Sequence, residues 1–330
     1  MKVNIFLRNP HRLGNFSLEI FYKELYTELD KKIDAKLIRV PYKNKGLIGR
    51  LLNIVFCYMN QTDVNHIVGD ITYCALLMDK KKLVITLLDC ISLHKNTGFK
   101  KYILQKYLFE MPIKKSSKRI LISKATKIDL EKLLKIKLNN YSIIPVTVSK
   151  AFFSQEEMSK PKKMSNTFLM IGTAENKNIE RVAEAVEKIN CLLKVIGKLN
   201  QSQKQQLKKY KINFIEVDKP LSEKEMIEEY QNADLLLFPS TLEGFGMPIL
   251  EANLSGLCII TSNISSMPYV ANNSALLVDP YNVESIRKGV KRISNDSKLR
   301  DELVINGKIN STRFKIENIS REHINIYNSI

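Results

Sequence analysis

The sequence predicts an α/β protein built from two doubly wound domains in tandem. Short apolar, β-branched runs alternate with helical periodicities along the chain, a polar stretch near the middle breaks the alternation, and the alternation then restarts. A length of 330 residues suits two domains of ordinary size.

In the first half KVNIFL reads as a strand, and FSLEIFYKELYTELDKK as an amphipathic helix with apolar positions near i, i+3, i+4 and i+7. KLIRV (strand), LIGRLLNIVFCYMN (helix), VNHIV (strand), ITYCALLMD (short helix) and KLVITLLD (strand) follow. KYILQKYLFEMPIKKS reads as a helix, RILISKA as a strand leading into the helix KIDLEKLLK, and YSIIPV as the last strand. SQEEMSKPKKMSNT is polar and reads as a linker. The second half opens with TFLMIG (strand), NIERVAEAVEKI (helix), CLLKVIG (strand), SQKQQLKKY (helix) and INFIEV (strand). SEKEMIEEYQNA is a helix entered through a capping box of Ser222 and Glu225. DLLLFPS, CIITS and ALLVD are strands; ESIRKGVKRIS, KLRDELVINGKINS and KIENISREHINIYNSI are helices. The expected layout is a first domain over 1–153, a linker over 154–166, a second domain over 167–312, and a closing helix over 313–330 that can return to the first domain. Strands alternating with helices imply parallel βαβ units, whose ligands sit outside the carboxyl ends of the strands.

Charge is divided unevenly. Residues 1–150 carry 28 Lys and Arg against 12 Asp and Glu, a surplus of 16, whereas residues 151–330 carry 24 against 22, a surplus of 2. A basic first half attracts polyanions, either nucleic acid or an anionic membrane face; a solvated lysine-rich surface is the plainer alternative. No helix-turn-helix, zinc or ribonucleoprotein pattern accompanies the charge, which argues against nucleic acid. Cys57, Cys74, Cys90, Cys191 and Cys258 are scattered, mostly in apolar runs, as expected of buried thiols in a reducing compartment. MKVNIFLRNP has too short an apolar run for a signal peptide, and LLNIVFCYM is roughly half a membrane span. The expected location is the cytoplasm, with at most docking on the inner face of the cell membrane. His11, His66 and His323 have no metal-ligand spacing.

The stretch STLEGFGMPILE carries the densest chemistry. It follows the strand DLLLFPS, and Pro248 suits the first turn of the next helix. Gly244 and Gly246 let the backbone approach a ligand, and a helix start near Met247 favours an anion. Glu243 precedes that helix and Glu251 is expected in its first turn. The two are eight residues apart, about 12 Å along a helix axis, too far for the ~5–5.5 Å carboxyl pair of a retaining glycosidase. Two separate hydrogen-bonding jobs on one extended ligand fit better; helix-dipole compensation is the alternative for Glu251.

PSTLEGFGMPILEA with GLCIITSNISSMPYVANNSALLVDP resembles the signature of the retaining, nucleotide-sugar-dependent glycosyltransferases of the GT-B fold, two Rossmann-like domains with a cleft between them. Members share a Glu-x7-Glu motif, and the similarity extends over nearly the whole chain. FLMIGTAENKN and LLKVIGKL resemble the opening of that family's second domain, and KRILISKATKIDLEKLL the end of its first. HIVGDITYCALL and LVITLLDC resemble members that build bacterial surface polysaccharides.

The resemblance implies roles. Glu243 would bond the donor sugar's hydroxyls, and the backbone of Gly244, Phe245, Gly246 and Met247 would hold sugar and diphosphate. Glu251 would accept both ribose hydroxyls, and Lys177 would neutralise the diphosphate leaving group. Thr173 and Gly197 would lie beside the donor and Val217 near the base, while Gly14 and Asn15 would approach donor phosphates and acceptor. Taken singly, Gly14 also reads as a turn glycine and Lys177 as a solvated lysine. The chain departs from the pattern twice. Thr173-Ala174-Glu175-Asn176 lacks the basic residue that many relatives place before the lysine, and Leu88 stands where many have a histidine before Asp89. Activity would then rest on Asp89, or on His94 nearby. The implied activity is metal-independent, retaining transfer from a UDP- or GDP-linked sugar to a glycan or lipid-linked acceptor, with no cofactor. A weak or inactive donor-binding scaffold, motivated by Leu88, and a same-fold sugar-nucleotide epimerase are the alternatives; the sparse histidines argue against the epimerase.

Overall fold

The computed structural model of the chain describes residues 1–9, 17–44, 46–154 and 165–330. They form two units, Met1–Thr147 with Phe314–Ile330, and Val148–Arg313. The break falls at residue 147 rather than 153. The short helix Lys150–Phe153, read as the end of the first domain, belongs to the second unit, where the ring of Phe152 stands edge-on to Tyr230 at 5.8 Å.

In the first unit β1 (Lys2–Leu7), β2 (Asp34–Arg39), β3 (Val64–Val68), β4 (Leu83–Leu87), β5 (Lys118–Leu121) and β6 (Tyr141–Ile143) form a parallel sheet ordered β2-β1-β3-β4-β5-β6. Every residue of β3 and β4 is buried, as expected of central strands covered on both faces; the polar ones among them, Asn65, His66 and Thr86, are buried too. Helix Ser17–Leu29 buries Phe21, Tyr22, Leu25 and Leu29 at helical spacing. Helix Lys124–Leu134 starts where the Ser123 hydroxyl accepts from the Thr126 N–H at 3.0 Å, and stops at Lys135, whose φ is 53°.

Two segments differ from their expected form. Residues 98–115 do not make one α-helix: Gln105–Glu110 widen into a π-turn ahead of Pro112. Proline has no N–H to give the carbonyl four residues back, and the Thr72 hydroxyl donates to the Leu108 oxygen instead at 2.6 Å. Residues 71–79, expected as a short helix, lie mostly within Gly69–Leu77, which winds as 3-10 turns tighter than an α-helix. The closing helix Ile316–Asn328 packs on helix Ser17–Leu29 within this unit. His66 joins it to the sheet, meeting the Tyr327 hydroxyl at 2.9 Å and the Thr86 hydroxyl at 2.7 Å.

The second unit repeats the plan with β7 (Thr167–Ile171), β8 (Leu192–Ile196), β9 (Asn213–Val217), β10 (Leu235–Phe238), β11 (Cys258–Ser262) and β12 (Leu276–Val278), all parallel and ordered β12-β11-β10-β7-β8-β9. Capping boxes open two helices, Ser222 with Glu225 as expected and Asn200 with Gln203, which the sequence reading passed over. β10 is buried along its length, so Leu236→Ala would cost about 2–5 kcal/mol. Strand order reverses between β7 and β10. Loops leaving adjacent strands there diverge to opposite faces of the sheet and open a crevice at their carboxyl ends.

Candidate functional site

That crevice is bounded by residues 172–178 after β7 and 239–246 after β10. The chain leaves β7 through Gly172, whose φ is 85°; a Cβ there would sit 2.9 Å from Lys177 Cε. Glycine is needed twice over, for the backbone angle and for the lysine's path. Asn178, at φ 65°, is buried, and its amide donates to the oxygens of Pro239 at 3.0 Å and Pro280 at 2.7 Å. The Thr241 N–H donates to the Asn176 oxygen at 2.8 Å, and the Asn176 amide to the Leu242 oxygen at 2.8 Å. These bonds tie the two loops together before any ligand arrives.

Across the seam Lys177 Nζ meets Glu243 Oε1 at 2.6 Å, with the side chains only 16% and 12% exposed. The Asn176 amide also reaches Glu243 Oε1 at 3.3 Å, and the ammonium lies 4.5 Å from the Phe238 ring centre. So a cation and a carboxylate are stored side by side, largely out of water, where charge acts more strongly than on an open surface. Serines of the 263–266 turn hold the Glu243 backbone: its oxygen accepts from Ser265 Oγ at 2.8 Å and Ser266 Oγ at 3.1 Å.

Helix Met247–Leu254 begins after Gly246, whose φ of 107° suits only glycine, with Pro248 in its first turn as expected. Phe245 is buried, anchoring the Gly-Phe-Gly segment. Glu251 is the fifth residue of this helix rather than part of its first turn. Dipole compensation fades beyond the first turn, so that explanation of Glu251 fails. Its Oε2 accepts from the buried Tyr230 hydroxyl at 2.5 Å. Burial raises the Glu251 carboxyl above the usual carboxylate range, while the Tyr230 bond and the charge of Lys177 pull it down. Burial and the neighbouring carboxylate push the Tyr230 phenol well up, so it stays a donor.

The predicted residues at the ends of β7, β8 and β9 also meet. Gly197, at φ 128°, is so close to Thr173 that an added Cβ would lie 3.2 Å from its methyl, and the Gly197 N–H donates to the Val217 oxygen at 3.0 Å. The Gln203 amide holds the Thr173 oxygen at 2.9 Å. The second unit thus gathers Thr173, Lys177, Gly197, Val217, Glu243, Gly244, Phe245, Gly246, Met247 and Glu251 at one end of its sheet. Asp89 lies in the first unit, just beyond β4, where its Oδ1 accepts from the Ile91 N–H at 2.9 Å; the Leu88 oxygen accepts from Thr126 Oγ1 at 3.1 Å. His94 does not stand free beside it, for its Nε2 lies 2.8 Å from Asp129 Oδ2. Gly14 and Asn15 lie outside the described residues. Tyr230, Asn176, Ser265 and Ser266 escaped the sequence reading. Tyr230 reads as a core aromatic, and nothing in spacing points its hydroxyl at a carboxylate 21 positions away.

Comparison with known proteins covers both units. Residues 153–310 match the family model described as Glycosyl transferases group 1. Over 98 residues the chain is 34% identical to the O-antigen chain mannosyltransferase B of Escherichia coli, a match covering 30% of this chain and 26% of that protein. Over 220 residues it is 26% identical to the O-antigen chain mannosyltransferase RfbU of Salmonella typhimurium, covering 63% and 60%. The chain therefore matches about a quarter of the length of the first relative and three-fifths of the other. Among solved structures, WaaG, a glycosyltransferase involved in lipopolysaccharide biosynthesis, superposes with a TM-score of 0.73 at 17% identity, covering 98% of this chain and 99% of that one. This likeness shows the fold: two α/β domains of the GT-B class, as the sequence led one to expect.

Proposed function

We propose, from the premise that residues 153–310 belong to the group 1 glycosyl transferases, that the protein moves a sugar from a nucleotide-diphosphate donor to a hydroxyl of a glycan or lipid-linked acceptor in surface-polysaccharide synthesis. The observation that carries this reading is the stored pair of Lys177 and Glu243 at the β7/β10 crossover, with Glu251 on the helix that follows, fixed by the Tyr230 hydroxyl. One extended ligand can use all three. Glu243 bonds the sugar hydroxyls, Lys177 shifts from Glu243 to the diphosphate, and Glu251 takes the ribose diol. A carboxylate with two acceptor oxygens suits a diol, and one whose burial disfavours its charge gains from two new donors.

The chemistry is then leaving-group stabilisation and positioning. As the bond from anomeric carbon to phosphate breaks, negative charge grows on the diphosphate. Lys177 and the start of helix Met247–Leu254 meet it in place. The acceptor attacks from the face the diphosphate leaves, its proton passing to the departing phosphate, so the anomeric configuration is retained and neither metal nor cofactor is required. A UDP- or GDP-linked donor is expected, and the names of the two relatives make mannose the first sugar to try. A cytoplasmic setting is supported by the five buried, unpaired cysteines.

A second reading, donor binding without transfer, is favoured by Leu88 beside Asp89. A thermal-shift screen against UDP-, GDP-, ADP- and CMP-linked sugars tests the donor site first, because a ligand that binds only the folded chain raises its melting point. One donor class should stabilise wild type and fail to stabilise Glu251→Ala; no shift with any donor contradicts both readings.

A further inference from the structure

One helix of the first unit has its apolar side turned outward. Leu47–Met59 presents Leu47, Ile48, Leu51, Leu52, Val55 and Met59 to solvent, each 41–76% exposed. Its inner side carries a buried amide: Asn53 Oδ1 accepts from the Tyr42 N–H at 3.0 Å, and Nδ2 donates to the Tyr42 oxygen at 2.9 Å and Tyr73 Oη at 3.2 Å. Rotating the helix to bury the leucines would strip all three bonds from a buried group, so Asn53 fixes the apolar face outward. The one charged side chain of the helix, Arg50, lies over the Tyr73 ring at 5.7 Å. Soluble surfaces rarely hold so continuous an apolar face without a partner.

Charge borders that face. Lys43 is exposed just before the helix. Beyond its far end, Gln61 Oε1 accepts from the Asp79 N–H at 2.7 Å, which brings up the exposed turn Lys80–Lys82. A second apolar row, Phe99, Tyr102 and Ile103, is exposed between Lys100, Lys101 and Lys106 on Gly98–Leu104 and the turn after it. That turn, Gln105–Glu110, packs against Gly69–Leu77, and so does helix Leu47–Met59.

We propose that helix Leu47–Met59 docks the first unit on an anionic phospholipid bilayer. The helix lies along the interface with its apolar side among the acyl chains, and Lys43 and Lys80–Lys82 meet head-group phosphates. At 13 residues it is about 20 Å long, short of the ~30 Å hydrocarbon core, and no helix among the described residues is long and apolar enough to cross a membrane. The surplus of 16 positive charges over residues 1–150 selects the occupant: a second copy would press two basic rims together, whereas an anionic surface neutralises one.

The test uses vesicles of phosphatidylcholine with and without phosphatidylglycerol at low salt. Wild type should co-sediment with anionic vesicles about tenfold or more over neutral ones. Ile48→Ser/Leu51→Ser/Met59→Ser should lose about tenfold or more of that binding. Lys80→Gln/Lys81→Gln/Lys82→Gln should lose much of the anionic preference, and Ile305→Ser/Ile309→Ser, exposed in the second unit, should bind as wild type. The chain has no tryptophan, so Leu51→Trp adds a clean reporter whose emission should shift to the blue with anionic vesicles. Equal sedimentation of wild type and the triple serine variant overturns the proposal. So does indole emission from the Leu51→Trp variant that vesicles leave unmoved, a result that needs no disruptive variant to fold. A vesicle-independent dimer that the serine variant dissolves also overturns it, making a second copy the occupant.

Discussion

Tyr230→Phe removes one oxygen atom and should separate donor binding from chemistry. The phenol is buried, its ring packs edge-on to Phe152 at 5.8 Å, and its hydroxyl donates to Glu251 Oε2 at 2.5 Å. Phenylalanine keeps the ring contact and deletes only the bond. A hydrogen bond to a charged acceptor contributes about 1.5–3 kcal/mol, so the folded chain should lose about that much at neutral pH. Glu251 then loses the anchor that aims it. If about 1–2 kcal/mol of that aim is used on the ribose diol, donor KM rises roughly 5- to 30-fold. The diol is remote from the breaking bond, so kcat should stay within about threefold. The pH profile adds an independent sign. Burial raises the Glu251 carboxyl and the Tyr230 bond opposes that rise. Without the bond the carboxyl protonates at higher pH, so the acid limb along which donor KM climbs moves upward in the variant. The assay is steady-state nucleoside-diphosphate release against donor concentration across pH, with urea unfolding alongside. A variant that loses stability but keeps wild-type KM at every pH would refute the reasoning, leaving Tyr230 a purely structural partner and Glu251 off the donor.

Lys177→Met should lower kcat about 10²-fold or more, since a preorganised charge at the developing oxyanion is worth about 2.7–4 kcal/mol; single-turnover kinetics with saturating donor reads this directly. Gly172→Ala touches no substrate in this account, yet its Cβ would lie 2.9 Å from Lys177 Cε at a φ of 85°. It should cost roughly 1–3 kcal/mol of stability and reduce turnover, whereas an undisturbed rate would show that the lysine's path is loosely held. In the first unit, burial lowers His323 to about 4 and holds His66 well below its ordinary value. Between about pH 6.5 and 4 the unfolded chain therefore binds more protons than the folded one, and stability falls as pH falls, by about 3 kcal/mol for His323 alone. Urea midpoints for wild type should drop through that window, and those of His323→Leu should drop less.

The strands were legible because a parallel sheet covered on both faces favours short runs that are mostly apolar rather than alternating. VNHIV, LVITL and LLLF are buried at every position. The Glu243 to Glu251 segment was legible because glycine, proline and carboxylates each answer a separate backbone or ligand demand there. Local rules reached less far where a distant group decides. The π-turn at Gln105–Glu110 is accompanied by a bond from the distant Thr72 hydroxyl to the Leu108 carbonyl that Pro112 cannot serve. The helix position of Glu251 was misplaced because the first turn is spent at Met247–Leu250, after Gly246 has set the entry angle. The Tyr230 bond and the serine clasp on Glu243 span about twenty residues each, and periodicity carries no information at that range. In sequence LLNIVFCYM reads as roughly half a membrane span, and the burial of Asn53, Ile54 and Cys57 shows which side of the helix faces inward.

The central claim is that Lys177, Glu243 and Glu251 hold one nucleotide-diphosphate sugar for transfer. The most direct measurement is nucleoside-diphosphate release, scanned over donors with a glycan-bearing lipid extract as acceptor source, for wild type and Glu243→Ala in parallel. Release from one donor class, dependent on the extract, is expected, with a loss of about 10²-fold or more in the variant. Release from no donor, or a Glu243→Ala rate equal to wild type, would contradict it.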